Sequence, residues 1–228
     1  MIVKVNWSGG KDSTCAVLCH LDMGHEVKAV CYIPMFTHTI PLIAKDHYEF
    51  IINTANELRR RGAEVHIISG MTYCEYVLHI AQRGKHKGKI FGFPYIACGQ
   101  CGFKRDSKLK ALNNLDIGYY DYEDIGIAYD EWSRKSQLTD RKRSILNELG
   151  ITEEMAAKRC INEYMISPQY TRATRDGCVL CPNAKDQEIE QWLEDYPEAK
   201  PILMELQNTV KKLRPDRQPP RRGYKWFI

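Results

Sequence analysis

The sequence predicts an α/β fold, a doubly wound and mostly parallel sheet with helices on both faces, plus a small metal-clipped helical lobe toward the C-terminus. Three observations lead there. Short β-branched apolar runs alternate with helix-length amphipathic stretches, the pattern of βαβ units. Glycines such as Gly24 and Gly62 stand where each early helix must end. With 228 residues, 43% of them hydrophobic, the chain can bury a core in one domain with a small appended lobe.

Residues 1–7 (MIVKVNW) read as a strand, broken by Ser8-Gly9-Gly10, and residues 12–23 carry helix-spaced Ala16, Val17, Leu18 and Leu21. Residues 26–33 (EVKAVCYI) are a second strand; after a loop with Pro34 and Pro41 come a helix over 44–61 and a third strand over 63–68. Helix-linked strands in this order pair in parallel, and ligands of such sheets sit at the carboxyl ends of the strands. A helix over 72–82, a basic mobile loop over 83–89 and a helix over 104–115 follow. Residues 122–128 (YEDIGIA) form a further strand that delivers Asp130, Glu131 and Arg134 to its carboxyl end. Residues 138–164 suggest two short helices, the second opened by Thr152-Glu153-Glu154. A last helical region starts near Asp186 and breaks between Pro197 and Pro201, and residues 214–228 form an extended Arg- and Pro-rich tail. This places a nucleotide-binding domain at 1–135, a helical lobe at 136–213 and the tail beyond.

No apolar run of membrane-spanning length occurs, so no membrane partner is expected and the cytoplasm is the expected compartment. Nine cysteines, an odd number, suit metal or redox chemistry better than a disulfide framework. A net charge of +4 is too small to argue for nucleic acid by itself and suits a pocket for an anionic small molecule.

The loop Ser8-Gly9-Gly10-Lys11-Asp12-Ser13 joins a strand to a helix. Such a turn exposes backbone N–H groups, and two glycines let a pyrophosphate approach them with no Cβ in the way. Lys11 would supply a point charge to the phosphates, Ser8 and Ser13 hydroxyls, and Asp12 a carboxylate to place Mg²⁺. Lys11, Asp12 and Ser13 are the expected catalytic side chains; Ser8, Gly9, Gly10, Gly126, Asp130, Glu131 and Arg134 complete the expected nucleotide site. The spacing is wrong for the Walker loop GxxxxGK[ST].

Cys98-x-x-Cys101 and Cys178-x-x-Cys181 are two knuckles, since a two-residue spacer lets both sulfurs reach one ion. Two such pairs make a tetrathiolate for Zn²⁺ or for a [4Fe–4S] cluster. Cys15, Cys19, Cys31, Cys74 and Cys160 read as small buried apolar residues, with Cys74 or Cys160 a sulfur carrier if either lines the pocket. Arg172 and Arg175 bracket the approach to Cys178. Arg214, Arg217, Arg221, Arg222 and Lys225, with Tyr224 and Trp226, read as a charged, partly disordered tail, or would cover the active site or touch a nucleic acid. The histidines show no metal spacing and are read as surface or packing residues.

SGGKDS resembles the signature of the PP-loop superfamily, the ATP pyrophosphatases and sulfonucleotide reductases. Gly92-Phe93-Pro94 with Cys98, Lys104 and Leu109, then Gly126-Ile127-Ala128-Tyr129-Asp130-Glu131 with Arg134, and last Ser167-Pro168 to Tyr170 with Gly177-Cys178-Val179-Leu180-Cys181, are similar to stretches of its phosphoadenosine phosphosulfate (PAPS) reductase-like family. The resemblance implies an adenine-nucleotide enzyme: one that cleaves ATP between the α and β phosphates to activate an acceptor, or transfers sulfur with a thiol or sulfur-donor protein, or reduces PAPS or adenosine phosphosulfate. It also implies an iron–sulfur cluster on the cysteines, whereas the Cys-Gly-Gln-Cys-Gly stretch looks more like a zinc knuckle. Two departures stand out. Ala128 occupies the place of the family's arginine, and no cysteine follows Cys181, so reduction through a tail thiolate is not expected. A non-catalytic nucleotide sensor or partner-binding module is the reading from another class. A sulfurtransferase acting on nucleic acid would need a partner protein.

Overall fold

A computed structural model describes residues 1–97, 100–172, 177–181 and 183–217. In chain order its elements are β1 (Ile2–Asn6), α1 (Lys11–Asp22), β2 (Glu26–Tyr32), α2 (Lys45–Arg60), β3 (Glu64–Ile68), α3 (Tyr73–Leu78), β4 (Ile96–Ala97), β5 (Gln100–Cys101), α4 (Lys110–Asn114), β6 (Tyr122–Ile125), β7 (Lys142–Arg143), α5 (Ile145–Glu148), α6 (Glu153–Asn162), α7 (Gln169–Arg172), α8 (Asp186–Asp195) and α9 (Ala199–Leu213). A π-helical stretch, Lys104–Leu109, leads into α4, and a 3-10 helix, Trp132–Gln137, follows β6. None of these helices is long and apolar enough to cross a membrane.

The chain divides into two compact units, each discontinuous in sequence. The first comprises residues 1–32, 46–68 and 116–176 and holds a five-stranded sheet in the order β3-β2-β1-β6-β7, parallel at every pairing. An all-parallel sheet needs cover on its faces, which is why its strands carry Val3, Val5, Val27, Ala29, Val30 and Val65, all buried. Helix α1 is buried along Cys15, Ala16, Val17, Leu18 and Cys19 and packs against α5 and α6. Thr152 caps α6 by accepting the Met155 N–H, as the Thr-Glu-Glu start suggests. Buried Asp124 on β6 accepts the N–H of Ile145 at 2.7 Å and contacts Nε2 of equally buried His20 at 3.1 Å, so one carboxylate both caps α5 and ties it to α1.

No periodicity in the sequence announces β7. It is two exposed charged residues, and its register beside Glu123 and Asp124 of β6, not any apolar periodicity, makes it a strand.

The second unit comprises residues 33–45, 69–115 and 177–228. Its core is aromatic: Phe36 meets Trp192 edge-on at 5.2 Å, and Tyr73 and Tyr76 both meet Phe103. Trp192 Nε1 donates to the Pro41 carbonyl at 2.9 Å, satisfying the one polar atom that its ring buries. Helices α8 and α9 present Ile189, Trp192 and Leu193, then Leu203, Leu206 and Val210, at helical spacing to this core.

Helix α3 is shorter than the predicted 72–82. It opens with a capping box between Thr72 and Glu75 but stops at Leu78, because His79 turns extended and Ile80 pairs antiparallel with Ile90. Residues 83–89 are the tip of the loop this pairing closes, with Ala81 donating to Lys89 and Gly88 to Ala81.

Candidate functional site

Strand order reverses at β1. The chain runs outward from β1 to β2 and β3, and only later lays β6 against the other side of β1. Asn6 lies opposite Ile125, so the loops after β1 and β6 leave the sheet side by side at its carboxyl edge, where open α/β sheets place their ligands.

The first loop is Ser8 to Lys11. Gly9 has φ +78°, and a Cβ there would lie 2.8 Å from Ile51 Cγ1 and close to His47 Cε1. Glycine is therefore required for conformation and for space. Gly10 is the N-cap of α1 and supplies no side-chain cap, so the first amides of the helix look outward for partners. The Lys11 N–H donates to the Tyr170 hydroxyl at 2.9 Å. The Ser13 hydroxyl accepts the Ser8 N–H at 3.1 Å and donates to the Gly10 carbonyl at 3.1 Å, bracing the turn from inside. Trp7 Nε1, fully buried, donates to Thr14 Oγ1 at 2.9 Å and pins the strand end to the helix.

The second loop seals against the first. A Cβ at Gly126 would lie 2.6 Å from the Ser13 nitrogen, so only a glycine lets the backbone after β6 come this close. Buried Ala128 donates its N–H to Glu131, which also takes Arg134 at 2.7 Å, and Asp130 accepts the Glu153 N–H at 3.0 Å. The three residues predicted here are thus engaged in shaping the loop, and Arg134 is bound to Glu131.

Lys11 Nζ lies 2.8 Å from Asp12 and 2.7 Å from Glu153. Burial draws the ammonium pKa down, but the hydrogen bonds to both carboxylates outweigh that and raise it, so Lys11 is a firm cation. Asp12 is raised as well. Its burial dominates, and the charges of Glu131 and Glu153 add to it against the pull of Lys11. Two carboxylates, Asp12 and Glu153, therefore hold Lys11 beside the glycine loop, and the charge of Glu131, itself paired with Arg134, reaches Asp12.

Glu153 and Tyr170, both partners of Lys11, were not among the predicted site residues, although Tyr170 ends the Ser-Pro-Gln-Tyr stretch that carried part of the resemblance. His47 was read as packing and is buried, with Nδ1 2.9 Å from buried Ser167 Oγ. Cys160 contacts the Lys11 carbonyl through its sulfur at 3.2 Å. Burial pushes its thiol up to about 12, as it does that of Cys74, so neither is a ready nucleophile at neutral pH.

Of the predicted metal ligands, Cys101, Cys178 and Cys181 all belong to the second unit, and Cys98 lies outside the described residues. Burial pushes Cys178 up to about 12, and the charges of Cys181 and Cys101 add to it, so both act on Cys178. The Cys181 N–H closes a tight turn onto the Cys178 carbonyl at 3.1 Å. Among the described residues no three His, Cys, Asp or Glu side chains are gathered closely enough to hold a metal. Arg175 and residues 221–226 of the tail lie outside the described residues, as does the side chain of Arg172.

No protein-family model matches the chain, and no curated protein matches it.

Proposed function

We propose that the chain is an adenine-nucleotide enzyme of the PP-loop type, similar to the PAPS reductase-like family, that binds ATP with Mg²⁺ and uses it to activate or transfer a group to an acceptor. One observation carries the reading: a glycine loop, whose N-cap residue gives the following helix no side-chain cap, lies where the strand order of a parallel sheet reverses.

In this reading the phosphates take over the amides of the loop. The Lys11 N–H exchanges the Tyr170 hydroxyl for a phosphate oxygen, and Lys11 Nζ turns from its carboxylates to the charge that develops on the phosphates. Asp12, Glu131 and Glu153 outnumber Lys11 and Arg134 beside the loop, which would repel a bare polyphosphate. The nucleotide is therefore expected to enter as its Mg²⁺ complex, with Asp12 turned toward the cation. Catalysis is positioning and charge stabilisation. The buried thiol of Cys160, held protonated, favours phosphoryl or adenylyl chemistry over thiolate attack. A Lys11→Ala chain that folds but retains turnover in a pyrophosphate-release assay would remove this assignment.

Cys98, Cys101, Cys178 and Cys181 are proposed to hold Zn²⁺ or a [4Fe–4S] cluster. The donor set fits either, and the described three lie in one unit, where such a centre would tie together segments far apart in sequence. Cys101→Ser is expected to lose metal and thermal stability together. Unchanged metal content in that variant, measured by elemental analysis after anaerobic purification, would contradict the assignment.

A further inference from the structure

The second unit contains a cavity of 480 Å³, inside the range of about 300–1,000 Å³ common for small-ligand sites. The glycine loop contributes nothing to it, and of the proposed metal ligands only Cys101 is in its described lining. Its described lining includes five Arg or Lys residues and no Asp or Glu. Two of those cations are already paired outside the cavity. Buried Arg214 is fixed by Asp216 and by the Ile90 and Phe91 carbonyls, and Arg105 pairs with Asp106 at 2.6 Å. Arg83, Lys85 and Arg217 provide the remaining positive charge.

The described lining also holds Tyr76, Phe91, Phe93 and Tyr95. Tyr95 is 48% exposed and carries the Arg217 guanidinium over its ring at 4.0 Å, while Tyr76 and Phe91 meet edge to face at 5.3 Å. The place of Arg217 is built in. A Cβ at Gly92, which has φ +71°, would lie 2.8 Å from Arg217 Cβ, so that close approach depends on glycine. The field follows the charges. The Tyr95 hydroxyl is held below its ordinary pKa by its hydrogen bond from Arg217 and then by that charge, and His86 is lowered by desolvation and then by Arg214 and Arg217.

Arg83, Lys85 and Arg217, with no carboxylate in the described lining and the exposed Tyr95 ring beside them, match one ligand chemistry: a planar ring that stacks, joined to a phosphate that takes the charge. We propose that this cavity binds a nucleobase carrying a phosphate, supplied as a free mononucleotide or as one nucleotide of a single strand. The site is separate from the glycine loop and independent of the reading given to that loop. Arg217 would hold the phosphate while Tyr95 stacks the base, with Arg83 and Lys85 guiding the approach from the loop tip.

The test measures binding of AMP by calorimetry and of a short labelled single strand by fluorescence anisotropy, to the wild-type chain and to Arg217→Ala, Arg83→Ala and Lys11→Ala. Arg217→Ala is expected to weaken binding about tenfold, the effect of losing one stacking and charge contact. Exposed Arg83 keeps the proposal testable should Arg217→Ala fail to fold; its removal should weaken binding severalfold and reduce the salt dependence of strand binding by about 0.7 in log–log slope. Lys11→Ala should leave binding here unchanged. Tighter binding of AMP identifies the free nucleotide as the source, and tighter binding of the strand identifies nucleic acid; either supports the site. Binding indifferent to both arginines, binding lost only in Lys11→Ala, or no binding of either probe overturns it; the second outcome would place the probe on the glycine loop instead, and the other two leave the reading of that loop as it stands.

Discussion

Replacing Gly9 by alanine separates two costs that the structure assigns to one atom. The added Cβ must sit at φ +78°, a left-handed conformation that costs an L-residue about 1 kcal/mol. It must also sit 2.8 Å from Ile51 Cγ1, an overlap of the kind that costs about 2 kcal/mol in a packed interior. Gly9→Ala should therefore lose about 3 kcal/mol in urea unfolding without a change in slope. In an Ile51→Ala background the overlap disappears and only the conformational cost remains. The double variant should thus be about 2 kcal/mol more stable than the sum of the two single effects. An equal cost of Gly9→Ala in both backgrounds would refute the packing argument, and no cost in either would refute the loop geometry.

Two further perturbations address the same loop. Because the Asp12 pKa is raised, the folded chain binds its proton more tightly than the unfolded chain does; the contribution is favourable in acid and is lost as pH rises through the folded value. Asp12→Asn should accordingly melt higher than wild type at neutral pH, with the gap closing below about pH 3.8, while losing Mg²⁺-dependent nucleotide binding; a lower melting temperature at neutral pH would contradict this. Tyr170→Phe removes the hydroxyl that accepts the Lys11 N–H, so it should destabilise the free chain by about 1 kcal/mol. It should also tighten nucleotide binding, since the ligand no longer displaces a partner; weaker binding would show that the hydroxyl serves the ligand instead.

What the sequence disclosed depended on how locally each feature is encoded. Strands β1, β2, β3 and β6 announce themselves because strands buried in a parallel sheet need runs such as VKV and VKAVCY, and the glycine loop is legible because its neighbours in space are its neighbours in sequence. Partnerships across the chain were hidden. Lys11 meets Glu153 and Tyr170, and no periodicity links such distant positions. Arg214 reads as the start of an extended Arg- and Pro-rich tail, yet it is buried because two carbonyls and Asp216 satisfy its guanidinium. The aromatic and cationic cavity was divided between a basic loop, a Gly-Phe-Pro stretch and the end of α9, each unremarkable alone. The interleaving of the two units was hidden for the same reason, since the long segment between β3 and β6 belongs to the unit that also takes the C-terminal helices.

The central claim is that the loop from Ser8 to Ser13 holds an adenine nucleotide. It is tested most directly by the thermal stability of anaerobically purified chain, wild type and Lys11→Ala, against ATP, adenosine phosphosulfate and PAPS, each with and without Mg²⁺, because any ligand of the native state raises the melting temperature by mass action. The account predicts a rise with ATP only when Mg²⁺ is present, abolished by Lys11→Ala. A rise with the sulfated nucleotides alone would contradict the ATP reading in favour of a reductase, and no rise that depends on Lys11 would contradict the assignment of the loop.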